Sequence, residues 1–374
     1  MKLTKLYIHN YKSFYDTTIE FDKLNIVVGE NNSGKSNLID VLEFINIVLT
    51  KNFAIAFEKK GGWEKIYNYN NDEAKMLIEF ELSNDEYLKK FRLTFHEDYF
   101  IDSTINYKKI DDSFIPFNVI SSRANLLKNT SKTRTFLFKS NMELISILPN
   151  ELEKIKMLLP FIGKFDFSTT YAFNTETIKN QSHRRAEKEL KKNGSNLGQN
   201  LLYIKKNYPN SFNIISNSMI GVVNEIKGID VQETFGNALI GFKERNQEIG
   251  IDMVSDGTIN LLATITALNQ DEDKSILLAF DEPERYLHMK AVHYLMDSFR
   301  SSEKQILITT HSTEILKYAN LNEVIFIYRD RDGDTQSIRA DKIPNLKEKM
   351  EHMTYERSMT LDEMIDEDMV WDFE

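Results

Sequence analysis

The stretch Leu24-Asn25-Ile26-Val27-Val28-Gly29-Glu30-Asn31-Asn32-Ser33-Gly34-Lys35-Ser36-Asn37 decides the reading of this chain. Its first part, Leu24–Val28, is a short and mostly apolar run, the pattern of a buried central strand. Gly29–Ser36 follows at once and matches GxxxxGK[ST]. Beyond it, Leu38, Val41, Leu42, Ile45 and Val48 recur at helical spacing, so Asn37–Leu49 is expected to be a helix. Strand, glycine loop and helix therefore come in the order a phosphate site requires. Glycines let backbone N–H groups wrap around phosphate oxygens, and the helix points its N-terminus at them. Lys35 supplies positive charge to the β- and γ-phosphates, and the Ser36 hydroxyl suits Mg²⁺. An ordinary glycine turn is the bland alternative, but it does not explain the strand before and the helix after. ATP and Mg²⁺ are the expected ligands, with Gly29, Asn31, Asn32, Ser33, Gly34, Lys35 and Ser36 forming the loop.

Working outward, the chain has 374 residues, enough for one large or two medium domains. Hydrophobic residues make up 41% and charged residues 28%, ordinary values for a globular protein with a sizeable core. The chain has no cysteine, which excludes disulfides and thiolate metal sites and fits a reducing cytoplasm. Its net charge of −10 argues against a non-specific DNA coat. Lys188, Lys191 and Lys192 form one local basic cluster, whose bland reading is a solvated helix face. No apolar run approaches the roughly 20 residues of a spanning helix, and the start lacks the features of a signal peptide. A cytoplasmic protein without a membrane partner is expected.

Leu3–Ile8 and Thr17–Phe21 read as antiparallel strands around a turn near Tyr11–Phe14. A β-meander is expected from Met76 to about Tyr107, with Met76–Leu82 and Phe91–Phe95 its clearest strands. Between about 120 and 225, stretches such as Asn141–Leu159 and Leu197–Tyr208 read as helices without sustained heptads. Strands are expected again at Ile229–Val231, Glu248–Met253, Ile276–Phe280, Ile306–Thr310 and Val324–Tyr328, with a helix over Thr258–Asn269. Alternating strands and helices argue for a sheet with helices packed on it. The Asp-, Glu- and Met-rich tail Met359–Glu374 reads as a solvated terminus or a docking segment for a partner.

Three further motifs carry chemistry. In Ile276–Glu284 an apolar strand ends in adjacent acids. Asp281 stands where a carboxylate would hold Mg²⁺ through its water shell. Glu282 follows, able to act as general base or to orient the attacking water. Thr309-Thr310-His311-Ser312 ends another apolar strand, and a neutral imidazole there can hydrogen-bond the γ-phosphate. Ser255-Asp256-Gly257-Thr258, taken alone, is a plain helix N-cap.

These motifs in this order resemble the ABC-class ATPases, within them the SMC/RecF-like branch. Ile8–Phe14 looks like that branch's first hairpin, Gly29–Asn37 like its phosphate loop and Ser255–Thr258 like its signature motif. Asp281–Glu284 with Leu287-His288 looks like its Walker B and D-loop region, and His311 matches its switch histidine. The similarity extends to compact AAA-labelled ATPases of bacterial anti-phage systems, including parts of OLD-family nucleases and of Septu-like and retron-linked systems. It covers residues 1–50 and about 245–330. The fold it implies is α/β: an ABC-type P-loop ATPase head with a mixed β-sheet, an N-terminal antiparallel β-subdomain and a mostly helical insertion. The implied division is an N-terminal lobe over 1–115, the insertion over 116–228, a C-terminal lobe over 229–345 and an acidic tail over 346–374.

The resemblance also implies a homodimer. Each ATP would be sandwiched between the loop of one copy, Asn37 included, and Ser255 and Gly257 of the other, with Lys12 and Ser13 approaching from the first hairpin. Three departures stand out. Asp256 occupies a position where the best-known signature has glycine. No glutamine lies between Asn37 and Asn180, so no Q-loop residue is placed. Residues 329–374 are too few for an OLD-type nuclease domain. The function expected is an ATP-hydrolysing sensor or scaffold for a separately encoded effector, such as a nuclease or toxin, in anti-phage defence. The alternative is a RecF-like ATPase with ATP-dependent DNA binding. A transporter's nucleotide-binding subunit is disfavoured by the hairpin, the Asn31-Asn32 loop and the signature.

Overall fold

The computed structural model describes residues 1–344 apart from residue 52 and the stretches 69–74, 85–86, 97–98, 110–114, 120–165, 181–185, 235–236 and 271–274; beyond 344 it describes Leu346 and Leu361. The chain divides into two compact units. The first comprises Met1–Thr169, Lys274–Leu277 and Asn322–Ile343; the second comprises Thr170–Asp273, Leu278–Leu321 and Pro344–Glu374.

The first unit contains an antiparallel sheet in the order Thr17–Glu20, Lys2–His9, Lys75–Ser83, Tyr87–His96, Tyr99–Lys109, Ile115–Val119. Its logic is alternation. In Lys75–Ser83 the residues Met76, Ile78, Phe80 and Leu82 are buried while their neighbours are not, as a strand's two-residue period demands. The expected turn is closed by backbone bonds in both directions, Tyr11 N–H to Phe14 O (3.1 Å) and Phe14 N–H to Tyr11 O (2.9 Å). The expected meander is present.

Leu24–Val28 is buried along its whole length. It pairs in parallel with Val324–Arg329, which pairs antiparallel with Thr335–Arg339, so this sheet is mixed. A parallel strand covered on both faces favours apolar residues along its length rather than at alternate positions, and the one polar residue of Leu24–Val28, Asn25, accepts the Asp22 N–H at 2.7 Å. The helix Lys35–Thr50 buries Leu38, Val41, Leu42, Ile45 and Val48, the stripe expected from the sequence, together with Phe44. The Phe44 ring lies 5.5 Å from Tyr11 and 5.4 Å from Phe95. The helix that follows the loop is thereby anchored to the antiparallel sheet.

In the second unit, Leu278–Phe280 and Gln305–Thr310 are buried strands. Ile226–Thr234, Asn237–Glu244 and Gln247–Gly250 form an antiparallel meander. The helices Leu197–Asn207, Pro209–Val222, Asp256–Leu268 and Met289–Ser301 belong here. Phe280 packs 5.2 Å from Phe299 and 5.4 Å from Tyr171. No helix among the described residues is long and apolar enough to cross a membrane.

Two local expectations are corrected. Glu248–Met253 is not one strand: pairing stops at Gly250, and Ile251–Met253 turns as a 3₁₀ helix toward the cap at Ser255. Lys188, Lys191 and Lys192 do not lie on a helix face but in irregular chain ahead of Gly194. Gly194 has φ +73°, a left-handed conformation that breaks a helix, and Lys191 pairs with Glu187 at 3.2 Å. Asn141–Leu159 lies outside the described residues, as does the tail Met359–Glu374 apart from Leu361.

Candidate nucleotide site

In the first unit the Gly29–Ser36 loop connects the buried strand to its helix. Gly29 is buried, and a methyl there would overlap the Ile327 carbonyl. Gly34 caps the helix with φ +119°, and a methyl there would come 2.5 Å from Thr335 Oγ1. Both glycines are therefore required by backbone geometry, one for close approach and one for a left-handed turn. The helix beginning at Lys35 has no side-chain cap and no acid in its first turn. Its leading N–H groups, with the positive end of the helix dipole, suit an anion.

Lys35 is 5% exposed, and its ammonium donates to the carbonyls of Gly29 (2.5 Å) and Glu30 (2.8 Å). Those bonds fix the charge over the loop instead of letting it wander into solvent. Ser33 Oγ is buried without a hydrogen-bond partner. Buried polar atoms are normally satisfied, so one left unmet inside such a cradle fits a polar ligand. Ser36, Asn31 and Asn32 are exposed, and Asn32 takes a left-handed φ of 66°.

The first hairpin is tied to this loop. Asn37 Nδ2 donates to Ser13 Oγ at 2.7 Å. Thr335 Oγ1 lies 2.8 Å from both Ser13 Oγ and Ser33 O, and Thr335 N–H donates to Ser13 O at 2.7 Å. Arg329 Nε donates to Asn32 O at 2.9 Å. Thr335 and Arg329 were not legible as site residues, because they lie about three hundred residues from the loop. Lys12 is placed differently from Ser13. Its ammonium sits 2.6 Å from Asp40, which also takes Lys60 (2.6 Å) and the Tyr11 hydroxyl (2.7 Å). Burial would raise the Asp40 carboxyl, but these donors outweigh it and hold it below the usual carboxylate range.

In the second unit, Asp281 emerges exposed from its buried strand. Thr309 Oγ1 donates to Asp281 Oδ1 at 2.5 Å, which orients the carboxylate. Glu282 has a left-handed φ of 48°, costly for a residue with a side chain. The turn is held by Glu282 N–H to Thr309 O (2.9 Å) and Arg285 N–H to Glu282 O (3.1 Å). Asn260 Nδ2 adds bonds to the carbonyls of Pro283 (3.0 Å) and Arg285 (2.9 Å). Glu282 and His311 are both partly exposed, with Oε1 and Nε2 3.9 Å apart. The structure thus brings Asp281, Glu282 and His311 together at the ends of the successive strands Leu277–Asp281 and Gln305–Thr310.

Ser255 caps the helix Asp256–Leu268, accepting from Thr258 N–H at 3.1 Å. Asp256 binds Lys179 at 2.7 Å, and this hydrogen bond lowers its carboxyl pKa. The acid in place of the usual glycine therefore has a local partner. A methyl on Gly257 would overlap the Tyr286 carbonyl, so the helix start packs directly on the turn after the acidic pair. Gly257→Ala should lower stability by about 1–3 kcal/mol in urea unfolding despite alanine's better helix propensity. A gain in stability would show that this close approach does not constrain the turn.

A family model described as "AAA domain, putative AbiEii toxin, Type IV TA system" matches residues 24–317, more than half of the chain. The chain is 24% identical over 362 residues to the ATP/GTP phosphatase of Helicobacter pylori, covering 87% of this chain and 88% of that protein. It is 23% identical over 369 residues to the Old nuclease of Escherichia phage P2, covering 89% of this chain but 60% of that relative's length. Among solved structures it is similar to an Smc head bound to the C-winged helix domain of ScpA, with a TM-score of 0.56 and 17% identity over 91% of this chain and 99% of that one. At that identity the likeness speaks for the fold, an SMC-head-like α/β arrangement. Glycine loop, acidic turn and family match agree, and the chain belongs to the AAA-domain family as an ABC-like ATPase of the SMC and OLD branch.

Proposed function

We propose that the chain binds ATP at Gly29–Ser36, hydrolyses it, dimerises around it and serves as sensor or scaffold for a separately encoded effector in anti-phage defence. The observation that carries the nucleotide reading is the uncapped helix start at Lys35, with the buried ammonium fixed over glycines that tolerate no side chain. Lys35 stabilises charge on the β- and γ-phosphates. Glu282 orients the attacking water and takes its proton, and His311 bonds the γ-phosphate. The Ser36 hydroxyl and the exposed Asp281 carboxylate are the oxygen donors that Mg²⁺ prefers, and the ion when bound neutralises phosphate charge.

In the proposed homodimer, Ser255 and Gly257 of one copy face the ATP held by the other. Ser13, tied to the loop through Asn37 and Thr335, is the stronger hairpin candidate for nucleotide contact. Lys12 is committed to Asp40 and reaches ATP only by exchanging that partner. This reading divides the chain into an N-terminal lobe over 1–115, an insertion over 116–228, a C-terminal lobe over 229–345 and an acidic tail over 346–374. The relation to the Old nuclease of phage P2 supports the defence context, and a cytoplasmic location goes with it.

The test is phosphate release by the purified chain with ATP, with and without Mg²⁺ and DNA, alongside capture of proteins encoded beside its gene. Mg²⁺-dependent turnover indifferent to DNA, with capture of a neighbouring nuclease or toxin, is expected. Absence of turnover sinks the ATPase reading. DNA-stimulated turnover with salt-sensitive DNA binding replaces the scaffold reading with the RecF-like one.

A further inference from the structure

The acidic turn contains a carboxyl that the proposed reaction does not use. Glu284 is 8% exposed. One of its oxygens accepts the Thr310 hydroxyl, and the other, Oε2, is buried with no hydrogen-bond partner. Asp281 and Glu282 stand close enough to repel a charge there. A buried carboxylate with an unmet oxygen and two acidic neighbours is costly, which favours the protonated form against the pull of the Thr310 hydroxyl. Burial first, and then those two acids, push the Glu284 carboxyl up to about 7.

The position of this carboxyl matters. Thr310 Oγ1, which Glu284 holds, also accepts the Ser312 N–H at 2.9 Å. Glu284, Thr310 and Ser312 thus form one chain of bonds that brackets His311. On the other side, Thr309 binds Asp281 through its hydroxyl and Glu282 through its carbonyl. The turn bearing Glu282 and the turn bearing His311 are consequently stitched together twice, and Glu284 is the stitch nearer the histidine.

We propose that Glu284 is a positioning residue, whose carboxyl holds Thr310 and thereby sets His311 against Glu282. This rests on the ATPase reading, in which those two groups act on water and γ-phosphate. A neutral donor and acceptor of the same shape should replace it, whereas removal of the side chain should not be tolerated.

The experiment compares Glu284→Gln, Glu284→Ala, Thr310→Val and Thr310→Ser in the full chain. ATPase kinetics and amide hydrogen exchange over residues 305–316 are both measured. Glu284→Gln and Thr310→Ser should keep kcat within about threefold of wild type. Glu284→Ala and Thr310→Val should lose roughly ten- to a hundredfold in kcat with KM for ATP little changed. Exchange in the segment should rise in the second pair only. A Glu284→Gln variant as impaired as Glu284→Ala would overturn the claim that the bond to Thr310 is what Glu284 supplies, and a Glu284→Ala variant with normal kcat would overturn the positioning role. If wild type shows no turnover, the ATPase reading fails by itself, and the exchange comparison still decides whether Glu284 orders the histidine turn. Thr310→Val and Thr310→Ser carry the same comparison should Glu284→Ala not fold.

Discussion

Glu282→Gln should bind ATP normally, hydrolyse it at least about a hundredfold more slowly and accumulate as an ATP-bound dimer. A positioned general base contributes roughly 10²- to 10⁴-fold to a rate. An amide keeps the shape of the side chain but cannot take the water's proton. The backbone around Glu282 is held by Thr309, Arg285 and Asn260 through bonds that do not involve its carboxylate, so the substitution should leave the turn intact. The loop and the helix start that receive the phosphates are untouched. Single-turnover kinetics with labelled ATP, with size-exclusion chromatography of the 43.7 kDa chain with and without ATP, reads both effects. Normal turnover would mean that another group activates the water. Slow turnover without a dimer would separate hydrolysis from the sandwich.

Lys35→Ala should lose nucleotide binding by at least about a hundredfold in Kd. Hydrogen bonds to charged groups are worth about 1.5–3 kcal/mol each, and an ammonium serving two phosphates makes more than one. In addition, Lys35 donates to the carbonyls of Gly29 and Glu30, so its removal also frees the loop it closes over. Lys35→Arg should recover little, because Lys35 is buried and a guanidinium is larger than an ammonium and presents a planar fork. Titration with a fluorescent ATP analogue measures the loss, and thermal unfolding checks that the variant folds. Retained affinity would place the nucleotide elsewhere.

How much of this was legible differs between the parts of the site. The glycine loop could be read directly, since strand, loop and helix are contiguous and their signals are local: an apolar run, two glycines at the spacing of GxxxxGK[ST], and a 3.6-residue stripe. Asp281 with Glu282, and His311, could be read for the same reason, each being polar residues at the end of an apolar strand. The segment Glu248–Met253 was misread because a strand and a 3₁₀ turn share its apolar residues, and nothing local marks where pairing ends at Gly250.

The loop Gly29–Ser36 was the sequence's own statement, because the glycines and the lysine of its pattern neighbour one another along the chain. The same holds for the strands that carry Asp281, Glu282 and His311. Tertiary structure alone decided what fastens these elements. Thr335 clasps Ser13 and Ser33, Arg329 braces Asn32, Lys12 turns to Asp40, and Glu284 binds Thr310. Each of these is a single side chain meeting a distant partner. Such a meeting has no period, spacing or composition to betray it, and it exists only once folding has brought the two partners together.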